Sequence, residues 1–125
     1  MVAVAPPLLS DQPPEVPRRA GLGDRFHYFR GVSGRRYLFS AVSRDALVDF
    51  HSAVAIIAQP ARDGRLAAHC VLLLDSFGRP TGRDRYRLWA IPAGAVVLVH
   101  LLAGSHAARD DLVADLSPLP EALAA

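Results

Sequence analysis

Several absences limit what this chain of 125 residues can be. Its single cysteine, Cys70, excludes an internal disulfide. No apolar run reaches the ~18 residues that a membrane-spanning helix needs. The N-terminal segment is rich in proline and has no base ahead of its short apolar stretch, which is not typical of a secretory signal. We therefore expect a cytoplasmic protein that has no membrane contact.

Lysine and asparagine are also absent, and all 14 basic residues are arginine. Frequent Ala, Arg, Gly and Pro indicate a GC-rich coding sequence, and this bias explains most of the arginine usage. Selection of arginine for bidentate contacts is the alternative. The net charge of +2 hides an uneven distribution, with +7 over residues 18–87, −2 over residues 1–17 and −3 over residues 88–125. Such a basic middle attracts an anionic partner, the acidic ends of the same chain or a second copy.

No motif for catalysis or metal binding is recognisable. Cys70 lies in an apolar stretch, where burial raises the pKa of a thiol and makes it unreactive. The histidines form no close pair of the kind that holds zinc, and His69 and His100 meet only if their separate strands are neighbours. Asp111 and Asp115 are four residues apart on a predicted helix, which is typical of a solvated helix face. We predict no cofactor and no metal ion.

Proline content marks the predicted limits of the domain. Residues 1–22 contain five prolines, which block both helix and central strand, so we predict that this segment is disordered. Residues 117–125 are short and contain two prolines, which predicts a flexible tail. A single domain is expected between them, over residues 23–116.

Alternating apolar and polar residues predict that this domain is built mainly from β-strands. The clearest hairpin joins residues 24–30 to residues 35–42 through a turn with two glycines, and it places His27 and Phe29 on one face. Four further strands are predicted at residues 53–59, 66–75, 85–91 and 95–103.

Two helices are predicted beside these strands. Ser43 is suited to cap a short helix after the second strand, and Ser105 to begin a C-terminal helix with Leu112 and Leu116 on its apolar side. Together the elements predict an α+β fold, in which the last helix covers a curved, mostly antiparallel sheet of about six strands. A small β-barrel-like domain is the main alternative.

Two segments resemble parts of short bacterial proteins of unassigned function. They are the first hairpin, FHYFRGVSGRRYLF, and the ending GAVVLVHLLAGSHAARDDLVADL. The resemblance implies that the hairpin and the last strand and helix are fixed parts of one fold. It implies no activity.

Arginine and aromatic residues occur together in the first hairpin and in the predicted fifth strand. An alternation of two places Arg85, Arg87 and Trp89 on one strand face, where exposed guanidinium groups beside a ring are typical of proteins that bind single-stranded nucleic acid. The more ordinary interpretation places Trp89 in the core. The candidate residues for binding nucleic acid or another anion are Arg30, Arg35, Arg36, Arg83, Arg85, Arg87 and Trp89.

Three functional hypotheses follow from these residues. The first is a small non-enzymatic interaction protein, with a homodimer through an exposed strand or the acidic helix as one form. The second is a nucleic-acid-binding module that uses the arginine-rich strands. The third is a small toxin-like hydrolase or nuclease, for which His27, Arg35 and Arg36 are the residues to test.

Overall fold

A computed structural model of the protein describes residues 8–11 and 25–116. These residues form six β-strands, two short 3₁₀ helices and one α-helix. The strands are β1 (Phe26–Arg30), β2 (Arg36–Val42), β3 (Ala53–Pro60), β4 (Leu66–Leu74), β5 (Pro80–Thr81) and β6 (Val96–His100). The 3₁₀ helices span Asp45–Asp49 and Arg85–Ala90, and the α-helix, α1, spans His106–Leu116.

The six strands form one sheet in the order β1-β2-β6-β3-β4-β5, and every neighbouring pair is antiparallel. The sheet is open, with β1 and β5 at its two edges. The predicted α+β fold is therefore confirmed, with a short helix after β2 and a helix at the C-terminal side. The barrel-like alternative is wrong, because β1 and β5 do not pair with each other.

β3 lies at the centre of the hydrophobic core and is covered on both faces. Its first six residues, 53–58, are all buried, and the strand is paired with β4 and β6. Val54 and Ile56 belong to the core on one face of the sheet, whereas Ala55 and Ile57 belong to the core on the other face. A strand without a solvent side needs no polar residues, which explains why this stretch is continuously apolar.

α1 covers one face of the sheet. Leu112 and Leu116 from its predicted apolar side are buried in one cluster with Phe29 of β1. The backbone amide of Ala108 donates a hydrogen bond of 3.1 Å to Oγ of Ser105, immediately before the helix. This satisfies one of the free amides of the first turn and confirms Ser105 as the N-cap.

The two 3₁₀ helices lie against the opposite face of the sheet. Leu47 and Phe50 come from the first 3₁₀ helix and its end, and Leu88 comes from the second; all three pack against buried residues of β3, β4 and β6. The amide of Ala46 donates a hydrogen bond of 3.2 Å to Oγ of Ser43. The predicted cap after β2 is therefore present, although the helix that it begins is a 3₁₀ helix.

The strand predicted at residues 85–91 is wrong, because this segment forms the second 3₁₀ helix. The fifth strand is instead the two-residue Pro80–Thr81. Residues three apart share one side of a 3₁₀ helix, so Leu88 and Ile91 both pack against the core, whereas in a strand they would point to opposite faces. The alternation of polar and apolar residues fits both structures, and it does not distinguish them.

The outer edge of β4 is covered by three other parts of the chain. β5 pairs with Leu73 and Leu74, near the end of β4. In its middle, the amide of Val71 donates a hydrogen bond of 3.0 Å to the carboxylate of Asp84. Residues 8–11 lie along the beginning of β4. These contacts occupy the edge of β4, so a longer fifth strand has no free backbone groups to pair with.

Residues 8–11, which we call the strap, belong to the segment that was predicted to be disordered. Leu9 forms a bridge with Ala67 of β4, and Ser10 forms a bridge with Phe29 of β1. The prediction of disorder does not hold for these four residues, since backbone hydrogen bonds to two strands fix them. The other residues of the predicted N-terminal segment and the predicted tail at 117–125 lie outside the described residues.

Candidate nucleic-acid interface

The seven candidate binding residues fall into two groups that the structure does not gather into one site. The first group lies on the β1–β2 hairpin, where Arg30 and Arg36 contact the strap. The second group lies in and before the second 3₁₀ helix, where Arg87 contacts β4. The hairpin group is Arg30, Arg35 and Arg36, and the other group is Arg83, Arg85, Arg87 and Trp89.

The charges of Arg30 and Arg36 are offset by Asp11 of the strap. Oδ2 of Asp11 lies 3.4 Å from a terminal nitrogen of Arg30 and 3.1 Å from Nε of Arg36. The guanidinium carbon of Arg36 also lies 4.2 Å from the ring centroid of Tyr28, within the range of a cation–π contact. These two arginines therefore hold the strap in place and have less charge to offer to an external anion.

Arg35 lies beside Asp115, which projects from α1 into the hairpin turn. The carboxylate of Asp115 accepts hydrogen bonds from the amide of Ser33 (2.8 Å), the hydroxyl of Ser33 (2.6 Å) and the hydroxyl of Tyr37 (2.8 Å). Burial acts to raise the pKa of Asp115, but these hydrogen bonds and the charge of Arg35 outweigh it and hold the pKa below its usual value. The solvated-face interpretation of Asp111 and Asp115 is therefore wrong for Asp115, which anchors α1 to the hairpin.

The second group lies among exposed aromatic side chains. Trp89 is 93% exposed, Phe77 is 83% exposed and Tyr86 is 60% exposed. The interpretation of Trp89 as a core residue is therefore wrong, because the 3₁₀ helix turns Leu88 toward the sheet and leaves Trp89 outside. Clustered apolar groups left in water are typical of interaction sites.

An open cavity lies beside Tyr86 and Trp89. Its volume is about 460 Å³, and its lining is Pro80, Arg85, Tyr86, Leu88 and Trp89. This volume is within the range of ~300–1,000 Å³ that small-ligand sites occupy. Tyr86 and Trp89 are three residues apart on the 3₁₀ helix, so both rings border the same space.

Among the described residues, no carboxylate forms an ion pair with Arg79 or Arg85, so their positive charges are not offset by a salt bridge. Asp75 accepts hydrogen bonds of 2.9 Å from the amides of Phe77 and Arg79. The guanidinium carbon of Arg79 lies 5.9 Å from the ring centroid of Phe77. Among the described residues, none accepts a hydrogen bond from the guanidinium of Arg85, which is exposed. Arg85 is therefore the cation at this surface that is most available to a ligand.

Arg87 fixes the second 3₁₀ helix to β4. Its guanidinium donates a hydrogen bond of 3.0 Å to the carbonyl oxygen of His69, and Nε2 of His69 lies 2.9 Å from the carbonyl oxygen of Arg87. Nε of Arg87 also lies 3.2 Å from the hydroxyl of Tyr86, and this hydrogen bond raises the pKa of Arg87. Arg87 therefore positions the ring of Tyr86 while its own charge stays at the surface.

Arg83 belongs to a different cavity. It lines a groove of about 400 Å³ between α1 and the sheet, together with Asp84, Asp110 and Val113. The surface that combines exposed rings with arginines therefore excludes Arg83 of the predicted site and includes residues that the prediction omitted. We call it the Arg–aromatic surface. It consists of Arg85, Tyr86, Arg87 and Trp89, together with Phe77 and Arg79, which contact each other and lie just before the lining residue Pro80 in the chain.

The predicted site omitted Phe77, Arg79 and Tyr86. A local signal for Phe77 is present in the sequence, since it precedes Gly78 in a tight turn. The amide of Gly78 donates a hydrogen bond of 3.0 Å to the carbonyl oxygen of Asp75, which places Phe77 at the tip of that turn. A side chain at such a tip points into solvent whatever its polarity.

Within the described residues, no side chains converge on a nucleophile or a metal site. Cys70 is buried, and burial raises the pKa of its thiol to about 11, as the apolar strand predicted. His69 and His100 do not meet, because Nδ1 of His100 lies 2.7 Å from the carbonyl oxygen of Leu38 and His69 contacts Arg87. No group of three His, Cys, Asp or Glu side chains that could hold a metal ion occurs in this part of the chain.

His27, the proposed base of the hydrolase hypothesis, is buried. It is 8% exposed and lies on the same face of β1 as Phe29, toward the core that α1 covers. Arg36, which the same hypothesis used, is paired with Asp11. The proposed base is therefore not open to a substrate, and the exposed Arg36 is already engaged by a carboxylate, so the geometry does not favour hydrolysis here.

No family model, no curated protein and no solved structure matches this chain. Among the described residues, no helix has the length and apolar character needed to cross a membrane.

Proposed function

We propose that the protein is a small non-enzymatic binding protein that holds single-stranded nucleic acid on the Arg–aromatic surface. The observation that carries this proposal is the exposed ring of Trp89 beside Arg85, whose guanidinium no described residue engages. Aromatic rings stack on bases of any sequence and contribute ~1–3 kcal/mol per base. Arginine supplies the charge and the paired donors that phosphate needs.

The arrangement of the rings favours a single strand over a duplex. Tyr86 and Trp89 border one open cavity of about 460 Å³, and the ring of Trp89 is almost fully exposed. Stacking requires the face of a base, which is covered by its neighbours within a duplex and free in a single strand. A ligand with unpaired bases therefore gains from the rings as well as from the arginines.

Two arginines of this surface can be removed without disturbing the fold. Neither Arg79 nor Arg85 has a side-chain hydrogen bond to another described residue, whereas Arg87 holds the 3₁₀ helix. Arg25 and Arg62 are exposed, and they lie just before β1 and in the β3–β4 turn. The double variants R79A/R85A and R25A/R62A therefore lose the same charge. The first pair belongs to the Arg–aromatic surface, and the second pair does not.

The test is the fluorescence anisotropy of a labelled oligothymidylate, measured at several salt concentrations. With three arginines on phosphates, the slope of log K against log salt is expected near about −2, since each contact to a single strand contributes ~0.7. R79A/R85A should bind more weakly and lose about 1.4 of that slope, while R25A/R62A keeps most of the affinity. No binding at low salt, or equal losses in the two variants, would contradict the proposal.

Protein binding through the same surface, including self-association, is a second candidate. Trp, Tyr and Arg are the residue types that contribute most to protein interfaces, and all three are exposed here. Light scattering over a range of concentrations tests the self-associating form. A dimer that the W89A variant abolishes would support it, and a strict monomer at high concentration would remove it.

A further inference from the structure

The strap fills a slot between β1 and the beginning of β4. The amide of Ser10 donates to the carbonyl oxygen of Leu66, and the amide of Ala68 donates to the carbonyl oxygen of Leu8, both at 2.8 Å. On the other side, the amide of Asp11 donates to the carbonyl oxygen of a β1 residue, also at 2.8 Å. The strap therefore acts as an inserted strand that satisfies backbone groups of two strands at once.

The slot recognises the side chains of the strap as well as its backbone. Leu8 packs against the core that α1 covers. Ser10 is 1% exposed, and its Oγ accepts a hydrogen bond of 2.7 Å from the amide of Leu66. Asp11 lies between Arg30 and Arg36. An extended segment fits this slot when an apolar residue, a buried hydroxyl and a carboxylate follow one another in this spacing.

Without the strap, the two strand edges that line the slot would present unpaired backbone groups. The amides of Leu66 and Ala68 and the carbonyl oxygens of Tyr28 and Leu66 would lose their partners. Unpaired strand edges take up an extended segment from another chain by β-strand addition. The slot is therefore a site that has to be filled, either by the strap of its own chain or by an equivalent segment.

The connection between the strap and β1 is long enough for the strap to fill the slot of its own chain or the slot of a neighbouring molecule. Asp11 bonds to Tyr28, which is three positions from Arg25, a distance of about 10 Å along a strand. The chain between Asp11 and Arg25 comprises residues 12–24, which span up to about 45 Å when fully extended. The contacts of the strap can therefore be made to the slot of a neighbouring molecule without any change in the contacts themselves.

We propose that the slot is a strand-acceptor site and that the partner it fits is the strap of a second copy of this chain. Exchange of straps between two copies is reciprocal, so it closes a twofold dimer in which each strap makes the bonds seen within one chain. The proposal does not rest on nucleic-acid binding, since the strap contacts β1, β4 and the hairpin arginines and none of the exposed rings.

Disulfide trapping between two single variants tests the exchange. Leu9 and Ala67 form a bridge in which the flanking residues make the hydrogen bonds, so their Cα atoms are close enough for a disulfide. L9C and A67C chains are mixed, incubated and oxidised, and the product is analysed without reductant. Cys70 stays in place, because its buried thiol is unreactive.

The expected result is a covalent mixed dimer, at twice the 13.4 kDa of one chain, that joins the strap thiol of one variant to the β4 thiol of the other. The matched control mixes L9C with R62C, since Arg62 is exposed on the β3–β4 turn and measures random collision. The L9C/A67C double variant shows that the strap is seated, because it forms its disulfide within one chain or between two. The proposal would be overturned if the double variant formed its disulfide only within one chain and the mixture of L9C and A67C gave no more mixed dimer than the control mixture.

Discussion

At the scale of single residues, Asp115 shows how one carboxylate joins a helix to a distant hairpin. It lies 82 positions along the chain from Ser33, yet it accepts both the amide and the hydroxyl hydrogen of that residue. Its backbone carbonyl oxygen also accepts a hydrogen bond of 3.0 Å from the amide of Val32. The end of α1 is therefore attached to the turn of the hairpin through both side chain and backbone.

We expect the D115N variant to be less stable at neutral pH by about 1–2 kcal/mol, since charged hydrogen bonds from Ser33 and Tyr37 become neutral ones. The folded state holds the pKa of Asp115 below 3.8, so the stabilisation by the carboxylate is complete above that pH and is lost as the pH falls through the folded pKa. Urea denaturation of both proteins from neutral pH down to about pH 2 measures this. A difference in the free energy of unfolding that stays constant over this range would contradict it.

Gly31 lies against the same carboxylate, and this contact leads to a second prediction. A Cβ atom at Gly31 would overlap the carboxyl group of Asp115. The G31A variant should therefore lose about 1–3 kcal/mol of stability, because the anchor has to move. Thermal denaturation against the G104A variant provides the comparison, since a Cβ at Gly104 meets no atom within 4 Å. Equal melting temperatures for the two variants would show that this contact is not tight.

At the scale of elements, the second 3₁₀ helix determines that the rings of Tyr86 and Trp89 are exposed to solvent. Its side toward the sheet carries Leu88, and its other sides carry Tyr86 and Trp89. Arg87 and His69 bind this helix to β4 by hydrogen bonds to each other's carbonyl oxygens. The exposure of the rings therefore depends on a short element that a few contacts hold in place.

Substitution of two neighbouring arginines in this element should separate stability from binding. R87A removes the hydrogen bond to the carbonyl oxygen of His69, so we expect a loss of about 0.5–1.5 kcal/mol of stability. R85A removes a side chain without a described partner, so stability should stay the same while the affinity for oligothymidylate falls. Urea denaturation and anisotropy on both variants measure the two effects. A stability loss for R85A as large as that for R87A would contradict these roles.

Sequence patterns predicted the long elements because burial on one or two faces determines their residues. The β1–β2 hairpin, β3 with β4, and α1 with its cap at Ser105 all follow from the period of their apolar positions. The second 3₁₀ helix was not predictable in this way, since RYRLWA alternates as a strand does. Its structure depends on β5 and Asp84, which already occupy the edge of β4.

At the scale of the whole molecule, folding redistributes the positive charge that the sequence places in its middle. Asp11 comes from the acidic N-terminal part and pairs with Arg30 and Arg36, and Asp115 from the acidic C-terminal part lies beside Arg35. The predicted attraction between the basic middle and the acidic ends therefore occurs within the fold. The cations without such partners among the described carboxylates include those of the Arg–aromatic surface.

The candidate site was predictable only in part for the same reason. An alternation of two placed Arg85, Arg87 and Trp89 on the face of a strand that does not form, and the three residues lie near one another because they share one short 3₁₀ helix. Arg30 and Arg36 were also predicted to be available to an anion. The carboxylate that pairs with them belongs to Asp11 of the strap, and the sequence around the two arginines gives no sign of it. Contacts across 19 or 82 positions are set by the fold as a whole, and a single sequence does not display them.

The fluorescence of Trp89 reports on both the exposure of this ring and its contact with nucleic acid, because this residue is the only tryptophan in the chain. We expect a red-shifted emission that acrylamide quenches readily in the free protein. When oligothymidylate is added at low salt, the emission should be strongly quenched and protected from acrylamide. A blue-shifted emission that acrylamide does not reach, or an emission that oligothymidylate leaves unchanged, would contradict this expectation.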